Sequence, residues 1–364
     1  MKILKVVSKI LIVILIIAVL FVGTLTVFEY RPEDLEDVEI MNNQEEVIQL
    51  DQIYQIMTFN IGYAGLGKDE DFVMDGGEKG RVDSVDVVED YFNGIQDLLT
   101  EYPSDFYLLQ EVDQKARRSY QINQVQGIMD TLGDDYSSQY ALNFKSIFVP
   151  FPLSLTDYIG QVESGIQTLT RFEGIQTERH QFPGSFSWPL RVANLKRAMM
   201  VSTFDISGSD KKLVVVNLHM SAYDSDGSLR DQEMEYLKTF LEEQQTLGNY
   251  VIVGGDFNQT FPEADGVFPV DSNFYEAFTI EDDFLPEGYR FEVDLSEPTC
   301  RLLNQPYVKG SEGTQYYLID GFIVSDNIEL EALSIDHEYQ VMTINHEFLY
   351  SDHNPVIMKF KLTI

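Results

Sequence analysis

The feature that most constrains the fold of this chain is an apolar run that leads into two glycines and then into an acid and an amide. It occupies residues 250–258, with the sequence YVIVGGDFN. The first four residues, mostly β-branched, predict a buried strand, and the glycines mark its end. With an extended backbone, Asp256 and Asn258 would point to the same face, because side-chain direction repeats every two residues. Such a pair can orient a water molecule and bind a phosphoryl oxygen, although an ordinary polar turn has the same composition.

The first 28 residues predict a membrane anchor. Lys2, Lys5 and Lys9 precede an apolar run at residues 10–28. A helix of that length spans ~28 Å, close to the ~30 Å hydrocarbon thickness of a bilayer. A secretory signal has a shorter apolar core and a small-residue cleavage site, which this run lacks. Because lysines precede the run and acidic residues follow it, we expect residues 1–9 in the cytoplasm and the remaining chain outside it.

The acidic charge of the chain disfavours tight binding to nucleic acid. The formal net charge is −35, and residues 1–30 contribute +2 through three lysines and Glu29, so residues 31–364 carry −35 − 2 = −37. Such a surface repels polyanions, although divalent cations could offset the repulsion locally. The single cysteine, Cys300, excludes an intramolecular disulfide framework and a cysteine-cluster zinc site.

The pattern along the chain predicts an α+β or α/β domain at residues 51–364, joined to the anchor by an acidic linker at residues 29–50. Apolar runs and alternation predict strands at 54–60, 106–112, 163–170, 211–220, 316–324 and 355–362. Helical periodicity predicts helices at 84–101, 119–132 and 228–247, the last with Ser228 and Asp231 as its capping pair. Since strands outnumber helices and several helices lie singly between strands, we expect packed sheets.

Eight polar residues lie in the predicted strands or close to their ends. They are Asn60, Glu111, His219, Asp256, Asn258, Asp320, Asp352 and His353. Each alone fits a turn or a solvated strand end, but together they supply the groups that metal-assisted phosphoester hydrolysis needs. A hard carboxylate such as Glu111 suits Mg²⁺ or Mn²⁺. Asp256 can orient or deprotonate a water molecule, and the two histidines can donate to phosphoryl oxygens.

Six short motifs carry a resemblance to a known family. They are TFN at 58–60, LQEV at 109–112, NLH at 217–219, GDFN at 255–258, IDGF at 319–322 and SDHNP at 351–355. In this order the chain resembles the endonuclease/exonuclease/phosphatase superfamily, which includes pancreatic deoxyribonuclease, abasic-site endonucleases, neutral sphingomyelinases and inositol-polyphosphate 5-phosphatases. The resemblance implies a two-sheet β-sandwich flanked by helices, in four layers α/β/β/α, here preceded by one N-terminal transmembrane helix. The site is expected at one edge of the sandwich.

The resemblance also implies roles for the residues that match the family's motifs. Glu111 would be the principal magnesium ligand, with Asn60 beside it on metal or phosphate. Asp256 would position the attacking water, while Asn258 and His219 would hold phosphoryl oxygens.

The remaining matches concern the second histidine and the substrate loops. His353 would stabilise or protonate the phosphoryl group with Asp352 as its partner, and Asp320 matches an acid in the family's strand motif. Which of Asp256 and His353 is the base stays open. The candidate substrate contacts are Arg118, Tyr120, Asn143 and Arg301, each of which could equally be an ordinary loop residue.

Taken together, these features predict a membrane-anchored, extracytoplasmic, Mg²⁺-dependent phosphoesterase, with Mn²⁺ as a possible substitute. We expect a phosphodiester substrate in a lipid headgroup or small molecule, because an anchor raises the effective concentration of a lipid substrate. A nuclease of the same family is the alternative, disfavoured by the charge. A catalytically inactive binding module is a second alternative, disfavoured because every expected acid, amide and histidine is present. Substrate, metal count and oligomeric state are not determined by the sequence.

Overall fold

The computed structural model describes residues 2–224, 226–311, 313–333 and 340–363. The α-helices of this part of the chain are α1 Lys2–Val27, α2 Val85–Glu101, α3 Gln124–Leu132 and α4 Ser228–Leu247. The strands are β1 Leu35–Asp37, β2 Ile40–Met41, β3 Ile53–Asn60, β4 Phe106–Ala116, β5 Ser137–Val149, β6 Gly160–Thr170, β7 Gly174–Gln181, β8 Ala198–Asp205, β9 Lys212–His219, β10 Tyr250–Asp256, β11 Tyr289–Glu292, β12 Cys300–Arg301, β13 Tyr316–Tyr317, β14 Asp320–Ser325, β15 Ile328–Glu331, β16 Val341–Thr343 and β17 Val356–Leu362.

Most of these strands belong to two mixed sheets. One has the order β1-β7-β8-β9-β10-β14-β11, and the other has the order β15-β17-β3-β4-β6-β5-β2, with β16 paired to β17. Within the first sheet β9 and β10 run parallel, and within the second β3 and β4 do so. The flanking pairs β10–β14 and β17–β3 are antiparallel. The short strands β12 and β13 form a separate ribbon.

Alternation along the central strands sorts side chains into layers. On β3, Ile56 lies in the core between the sheets, whereas Met57 packs in the cluster that includes residues of α2 and α3. On β10, Ile252 lies in the core between the sheets, whereas Val253 packs against α4. Two sheets thus share one core and each carries helices on its outer face. The predicted α/β/β/α sandwich is confirmed.

One predicted helix begins later in the structure than expected. The helix predicted from residue 119 begins at Gln124, because Tyr120 has φ +54° and Gln121 has φ +65°, which no right-handed helix accommodates. The Asn123 side chain caps the shorter helix by accepting from the backbone N–H of Gln126.

Helix α4 begins where we predicted, but its capping pair is wrong. The carboxylate of Asp224, not Ser228 or Asp231, accepts hydrogen bonds from the backbone N–H groups of Leu229 (2.6 Å) and Arg230 (3.1 Å). An acid that folds back from a preceding turn satisfies the same orphan donors as a conventional cap.

The predicted linker at residues 29–50 is partly folded onto the domain. Within it, β1 pairs with β7 of one sheet and β2 pairs with β5 of the other. Ile48 is fully buried in the core between the sheets. These strands are only two or three residues long, too short for a period to be visible in the sequence.

Helix α1 is long and apolar enough to cross a membrane. An 18-residue stretch within its segment Ile3–Val27 has a mean hydropathy of 3.2, and most side chains of the helix are exposed. The last two turns contact the domain: the Phe21 and Phe148 rings lie 5.9 Å apart, edge to face, and Leu25 is buried. The anchor segment and the sandwich therefore meet directly.

Candidate active site

The alternating side-chain directions of the central strands also place polar side chains at one end of the sandwich. Asn60, His219 and Asp256 end β3, β9 and β10, and Asp320 begins β14. Each lies two or four residues from a side chain of the core between the sheets, so each faces inward. Asp256 pairs in register with His219 on one side and Asp320 on the other. Three functional side chains therefore stand in one row across three strands.

The register between β9 and β10 requires a glycine at position 255. A Cβ atom on Gly255 would lie 2.1 Å from the backbone carbonyl oxygen of Leu218, so no other residue fits there without moving β9 away from β10. The glycine next to Asp256 thus keeps that carboxylate beside His219.

Glu111 reaches the site through a local distortion of β4. Regular alternation would send its side chain outward with Leu109, toward the helices. Instead the ladder to β6 slips between Leu109 and Val112, and Glu111 adopts φ +55°. Its carboxylate then faces the site, with Oε1 3.9 Å from Nε2 of His219. A left-handed conformation costs ~1–3 kcal/mol, and such strain concentrates at functional sites.

His353 is oriented by Asp320. Its Nδ1 lies 2.8 Å from Oδ2 of Asp320, and its Nε2 lies 3.8 Å from Oδ2 of Asp256. The prediction that Asp352 is the partner of His353 is wrong. Oδ2 of Asp352 lies 4.0 Å from Nε2 of the imidazole and makes no contact with Nδ1. The true partner is 33 residues away and reaches the imidazole only through the pairing of β14 with β10.

Thr299 fixes the backbone at the start of β14. Its Oγ1 accepts from the backbone N–H groups of Ile319 (3.0 Å) and Asp320 (3.1 Å). These contacts accompany a break in the strand predicted at 316–324, which the structure divides into β13 and β14. The break allows Asp320 to start a new strand with its side chain directed at the imidazole.

The two histidines have opposite protonation preferences. Burial lowers the pKa of His219 well below its ordinary value, and the guanidinium of Arg197 lowers it further. Burial also disfavours the charged form of His353, but the carboxylate of Asp320 overcomes that effect and raises its pKa well above the ordinary value. At neutral pH the site therefore holds one neutral and one protonated imidazole.

Two carboxyl groups of the site have raised pKa values. Burial, reinforced by Asp320 and opposed by His353, raises the pKa of Asp256 to about 6. Burial, opposed by His353 and reinforced by Glu111, raises the pKa of Asp352 to about 7. Facing carboxylates in a buried site leave negative charge that a cation would neutralise.

The residues present fit a hard divalent cation. Glu111 and Asp352 supply carboxylate oxygens, which suit Mg²⁺ and Mn²⁺. Oδ1 of the Asn60 amide accepts from the Gly62 N–H (3.1 Å) and has a further lone pair, while its Nδ2 donates to Oδ2 of Asp256 (3.0 Å). Asn60 can thus serve both the metal and the carboxylate.

Two other groups of side chains have potential ligand atoms within 4.8 Å of one another, and both fit magnesium less well. They are Asp256, Asp320 and His353, and Cys300, Asp352 and His353. In the first, the imidazole nitrogen is already hydrogen-bonded to Asp320. In the second, a thiol is a soft ligand, and burial raises the pKa of Cys300 to about 12.

Asn258 lies at the site, but its backbone conformation differs from the predicted one. Its backbone has φ +50° instead of an extended conformation, so the expected same-face geometry is wrong. Its N–H donates to Oδ1 of Asp256 (2.8 Å), and its Nδ2 donates to the Met220 carbonyl oxygen (2.9 Å). The residue fixes Asp256 and also lines the cavity described below.

The structure brings Arg118 to the site but places Tyr120 elsewhere. Arg118 is buried, pairs twice with Asp113 (2.9 and 3.1 Å) and lies 3.6 Å from the centroid of the Tyr63 ring. Tyr120 donates its hydroxyl to the Val82 carbonyl oxygen and is not among the described residues that line the cavity. The expected substrate contact by Tyr120 therefore has no support in the geometry.

Asn143 and Arg301 also line the cavity. Asn143 is buried, and its Nδ2 has no hydrogen-bond partner among the described residues. Arg301 donates to the backbone carbonyl oxygens of Gly67 (2.9 Å) and Glu70 (3.2 Å), so it holds a loop as well as facing the site.

Arg197 and Tyr223 are site residues that the sequence analysis missed. Both line the cavity, and Nη1 of Arg197 is buried without a hydrogen-bond partner in the described part of the chain. Neither belongs to a motif, and both lie outside the strand-end positions that drew attention to the others. No signal in a single sequence distinguishes them from other loop residues.

One part of a cavity of about 690 Å³, its polar end, is lined by residues described above: Glu111, Arg118, Asn143, Arg197, His219, Tyr223, Asp256, Asn258, Arg301, Asp352 and His353. Apolar residues from the end of α1 and from two loops, 149–153 and 186–195, line another part of the same cavity, its apolar end. Pockets of ~300–1,000 Å³ are typical of small-molecule sites.

Comparison with known proteins shows the family and the fold of the chain. The sequence model of the endonuclease/exonuclease/phosphatase family matches residues 57–353. The fold is similar to an endonuclease/exonuclease/phosphatase from Beutenbergia cavernae DSM 12333, with a TM-score of 0.56 and 16% identity over 86% of this chain and 72% of that one. It is also similar to ANGEL2, a 2′,3′-cyclic phosphatase, with a TM-score of 0.53 and 14% identity over 92% and 100% of the two chains.

A third similar structure is the human Nocturnin catalytic domain with bound sulfate, with a TM-score of 0.50 and 17% identity over 91% of this chain and 97% of that one. A search of curated proteins found no match. At these identities the structural likeness shows the fold.

Proposed function

This chain belongs to the endonuclease/exonuclease/phosphatase family, and from that premise we propose that it is a Mg²⁺-dependent hydrolase of phosphodiesters. The observation that carries the proposal is the in-register row of His219, Asp256 and Asp320. His353 extends this row, and the strained Glu111 faces it. The row combines a carboxylate that can position water with two imidazoles in different protonation states.

Glu111, with Asp352 and Asn60 beside it, would hold the metal ion. When bound, Mg²⁺ polarises a phosphoryl oxygen and neutralises charge that develops on it. Mn²⁺ suits the same oxygen donors.

In this mechanism Asp256 orients the attacking water and takes its proton. Its two oxygens are fixed by Asn60 (3.0 Å) and by the Asn258 N–H (2.8 Å), so the carboxylate is preorganised. The water oxygen bonds to phosphorus as the bond to the leaving oxygen breaks. The electron pair of the broken bond stays on the leaving oxygen, which takes a proton from solvent. His353, kept protonated by Asp320, donates to the phosphoryl group, and neutral His219 donates a second hydrogen bond.

The charge and the cavity favour a lipid headgroup or small phosphodiester over nucleic acid. With −37 on residues 31–364, a polyanion approaches against the net field. The apolar side chains at one end of the cavity would not bind the charged phosphates of a nucleic-acid backbone. A catalytically inactive binding module also fits less well, because binding alone would not require the strained backbone at Glu111.

We place the protein in a membrane through α1, with the N-terminus in the cytoplasm and the sandwich outside it. The support is the length and hydropathy of Ile3–Val27 together with the lysines that precede the apolar run and the acids that follow it.

The test uses the full chain in lipid nanodiscs with a panel of methyl p-nitrophenyl phosphate, sphingomyelin, a phosphoinositide and plasmid DNA. We expect hydrolysis of a small or lipid phosphodiester with Mg²⁺, loss of activity with EDTA, and none in the Asp256→Asn variant. Efficient DNA degradation that Asp256→Asn abolishes would establish the nuclease alternative. No hydrolysis of any substrate with Mg²⁺ or Mn²⁺ would refute the enzyme.

A further inference from the structure

The apolar end of the cavity is built partly by the membrane helix itself. Phe21, Val22 and Leu25 of α1 line it, opposite the loops at 149–153 and 186–195. Because residues three and four apart lie on one helical face, these side chains present a single apolar surface to the domain. The same cavity continues to Glu111 and His353 at its other end.

Polar contacts fix the helix to the domain at this point. The indole Nε1 of Trp188 donates to Oγ1 of Thr26 (3.0 Å). The carboxylate of Glu29, only 3% exposed, pairs with Lys196 (3.1 Å) and Arg191 (3.3 Å). Shielded, charge-assisted pairs of this kind are stronger and geometrically more specific than exposed ones. The wall formed by α1 is therefore held in place relative to the catalytic residues.

The length of the helix sets the depth of this wall in a bilayer. If Lys9 marks the cytoplasmic boundary, Phe21 lies ~18 Å and Leu25 ~24 Å along the helix, both inside a hydrocarbon layer of ~30 Å. The parts of the domain that contact these residues would then enter the outer leaflet.

The neighbouring loops have the exposed apolar side chains that such a position requires. Leu153 and Leu155 are 95% and 97% exposed, Leu190 is 66% exposed and Trp188 is 56% exposed. Large apolar side chains grouped beside a membrane helix are typical of a surface that lies in the interface.

We propose that α1 forms part of the substrate site, and that the apolar end of the cavity takes one alkyl or acyl chain of a phosphodiester drawn from the outer leaflet. The phosphate of that amphiphile then reaches the row of His219, Asp256 and His353. The continuity of one cavity from the membrane helix to the catalytic side chains favours a lipid chain over a peptide as the occupant. This inference rests on the proposed hydrolase activity and on the membrane position of α1.

A matched pair of substrates tests it. Hexadecyl p-nitrophenyl phosphate and methyl p-nitrophenyl phosphate undergo the same bond cleavage and both release p-nitrophenol. They differ only in the alkyl chain, which stays on the second product, the alkyl phosphate. Both are assayed with the full chain in nanodiscs and Mg²⁺. Partition of the hexadecyl ester into the bilayer raises its local concentration equally for all variants, so the comparison between variants isolates the cavity.

Two variants fill the cavity from opposite sides, Val22→Trp on α1 and Ala193→Trp on the facing loop. Leu20→Trp, at a position 64% exposed on another face of the helix, is the matched control. We expect each filling variant to lower kcat/KM for the hexadecyl ester at least tenfold and to leave the methyl ester within twofold of wild type. The unchanged methyl ester reports that the variant is folded, and Leu20→Trp should change neither rate.

The inference would be overturned if both filling variants hydrolysed the hexadecyl ester as fast as the wild type does. It would also be overturned if the wild-type protein hydrolysed the methyl ester but showed no preference for the hexadecyl ester. In either case the proposed hydrolase would stand. Turnover of neither ester by the wild type would refute the proposed function and, with it, this assignment of its substrate.

Discussion

The two ends of the cavity differ in how their side chains are positioned. At the polar end, residues of adjacent strands stand in register, and the pairing of β9, β10 and β14 fixes their spacing. At the apolar end, the walls come from one helix and two loops outside the sheets. The sheets thus determine the positions of the side chains proposed to carry out the reaction, whereas the helix and loops outside the sheets determine which substrate fits.

The polar end also contains a strained backbone position and buried carboxyl groups among the residues of the site itself. Glu111 is held at φ +55°, and Asp256 and Asp352 are buried beside other ionisable groups. The comparison therefore predicts that changes at the polar end affect every substrate, whereas changes at the apolar end affect only those with an alkyl chain.

The largest expected effect is that of Glu111→Gln. Removing the hard anionic ligand should lower kcat/KM for both p-nitrophenyl esters on the order of 10³-fold and weaken the dependence on Mg²⁺. The exposed Glu173→Gln is the matched control. Initial rates over a Mg²⁺ series measure the effect, and near-wild-type turnover at limiting Mg²⁺ would remove Glu111 from the metal site.

Asp320→Asn should have the next largest effect. His353 would lose the carboxylate 2.8 Å from its Nδ1, so kcat should fall roughly 10²-fold or more for both esters with little change in KM. Asp326→Asn, an exposed change that follows the same strand, is the control. A rise in KM with unchanged kcat would mean that Asp320 binds substrate instead of orienting the imidazole.

A smaller effect concerns the histidine that supports the backbone of His353. His346 is buried, with Nε2 2.9 Å from the His353 carbonyl oxygen and Nδ1 accepting from the Leu349 N–H (3.1 Å). Burial lowers the pKa of His346 to about 4. Below pH ~6.5 the unfolded chain binds a proton that the folded chain does not, so this group makes stability fall as pH drops toward 4.

His346→Gln should remove that dependence while keeping a donor and an acceptor. Between pH 7 and pH 4.5 the wild type should lose roughly 2 kcal/mol more of its free energy of unfolding than the variant does. Urea unfolding of the full chain in detergent at the two pH values measures the difference. Parallel losses in both proteins would show that His346 is protonated in the folded state.

The smallest expected effect lies at the apolar end. Leu153→Glu combined with Leu155→Glu places two charges on side chains that are almost fully exposed, so the fold should be unaffected. Charges disfavour entry into hydrocarbon, so turnover of the hexadecyl ester should fall about tenfold and that of the methyl ester should not change. Leu247→Glu, at the exposed end of α4, is the control. An equal fall for both esters would contradict the division between the two ends.

The sequence was sufficient for the sandwich and for the polar side chains that strand alternation directs inward, such as Asn60 and His219. The motif match identified Glu111, but alternation could not predict the direction of its side chain, which depends on a bulge and a left-handed backbone. The pairing of His353 with Asp320 and the cap from Asp224 depend on contacts that no local pattern encodes.

The apolar end of the cavity could not be predicted from the sequence, for a different reason. The anchor was predicted from its length and hydropathy, but an apolar helix gives no sign of which face meets a domain. The apolar loops likewise have no periodicity, and they become a wall only when the helix packs against them.

The most direct test of a metal-dependent hydrolase is the release of p-nitrophenol from methyl p-nitrophenyl phosphate as Mg²⁺ is titrated onto metal-free, full-length protein. We predict a rate that rises from background and saturates with Mg²⁺, and that stays near background over the same range in Glu111→Gln. A wild-type rate that stays at background with both Mg²⁺ and Mn²⁺, or one that is equally high without metal, would contradict it.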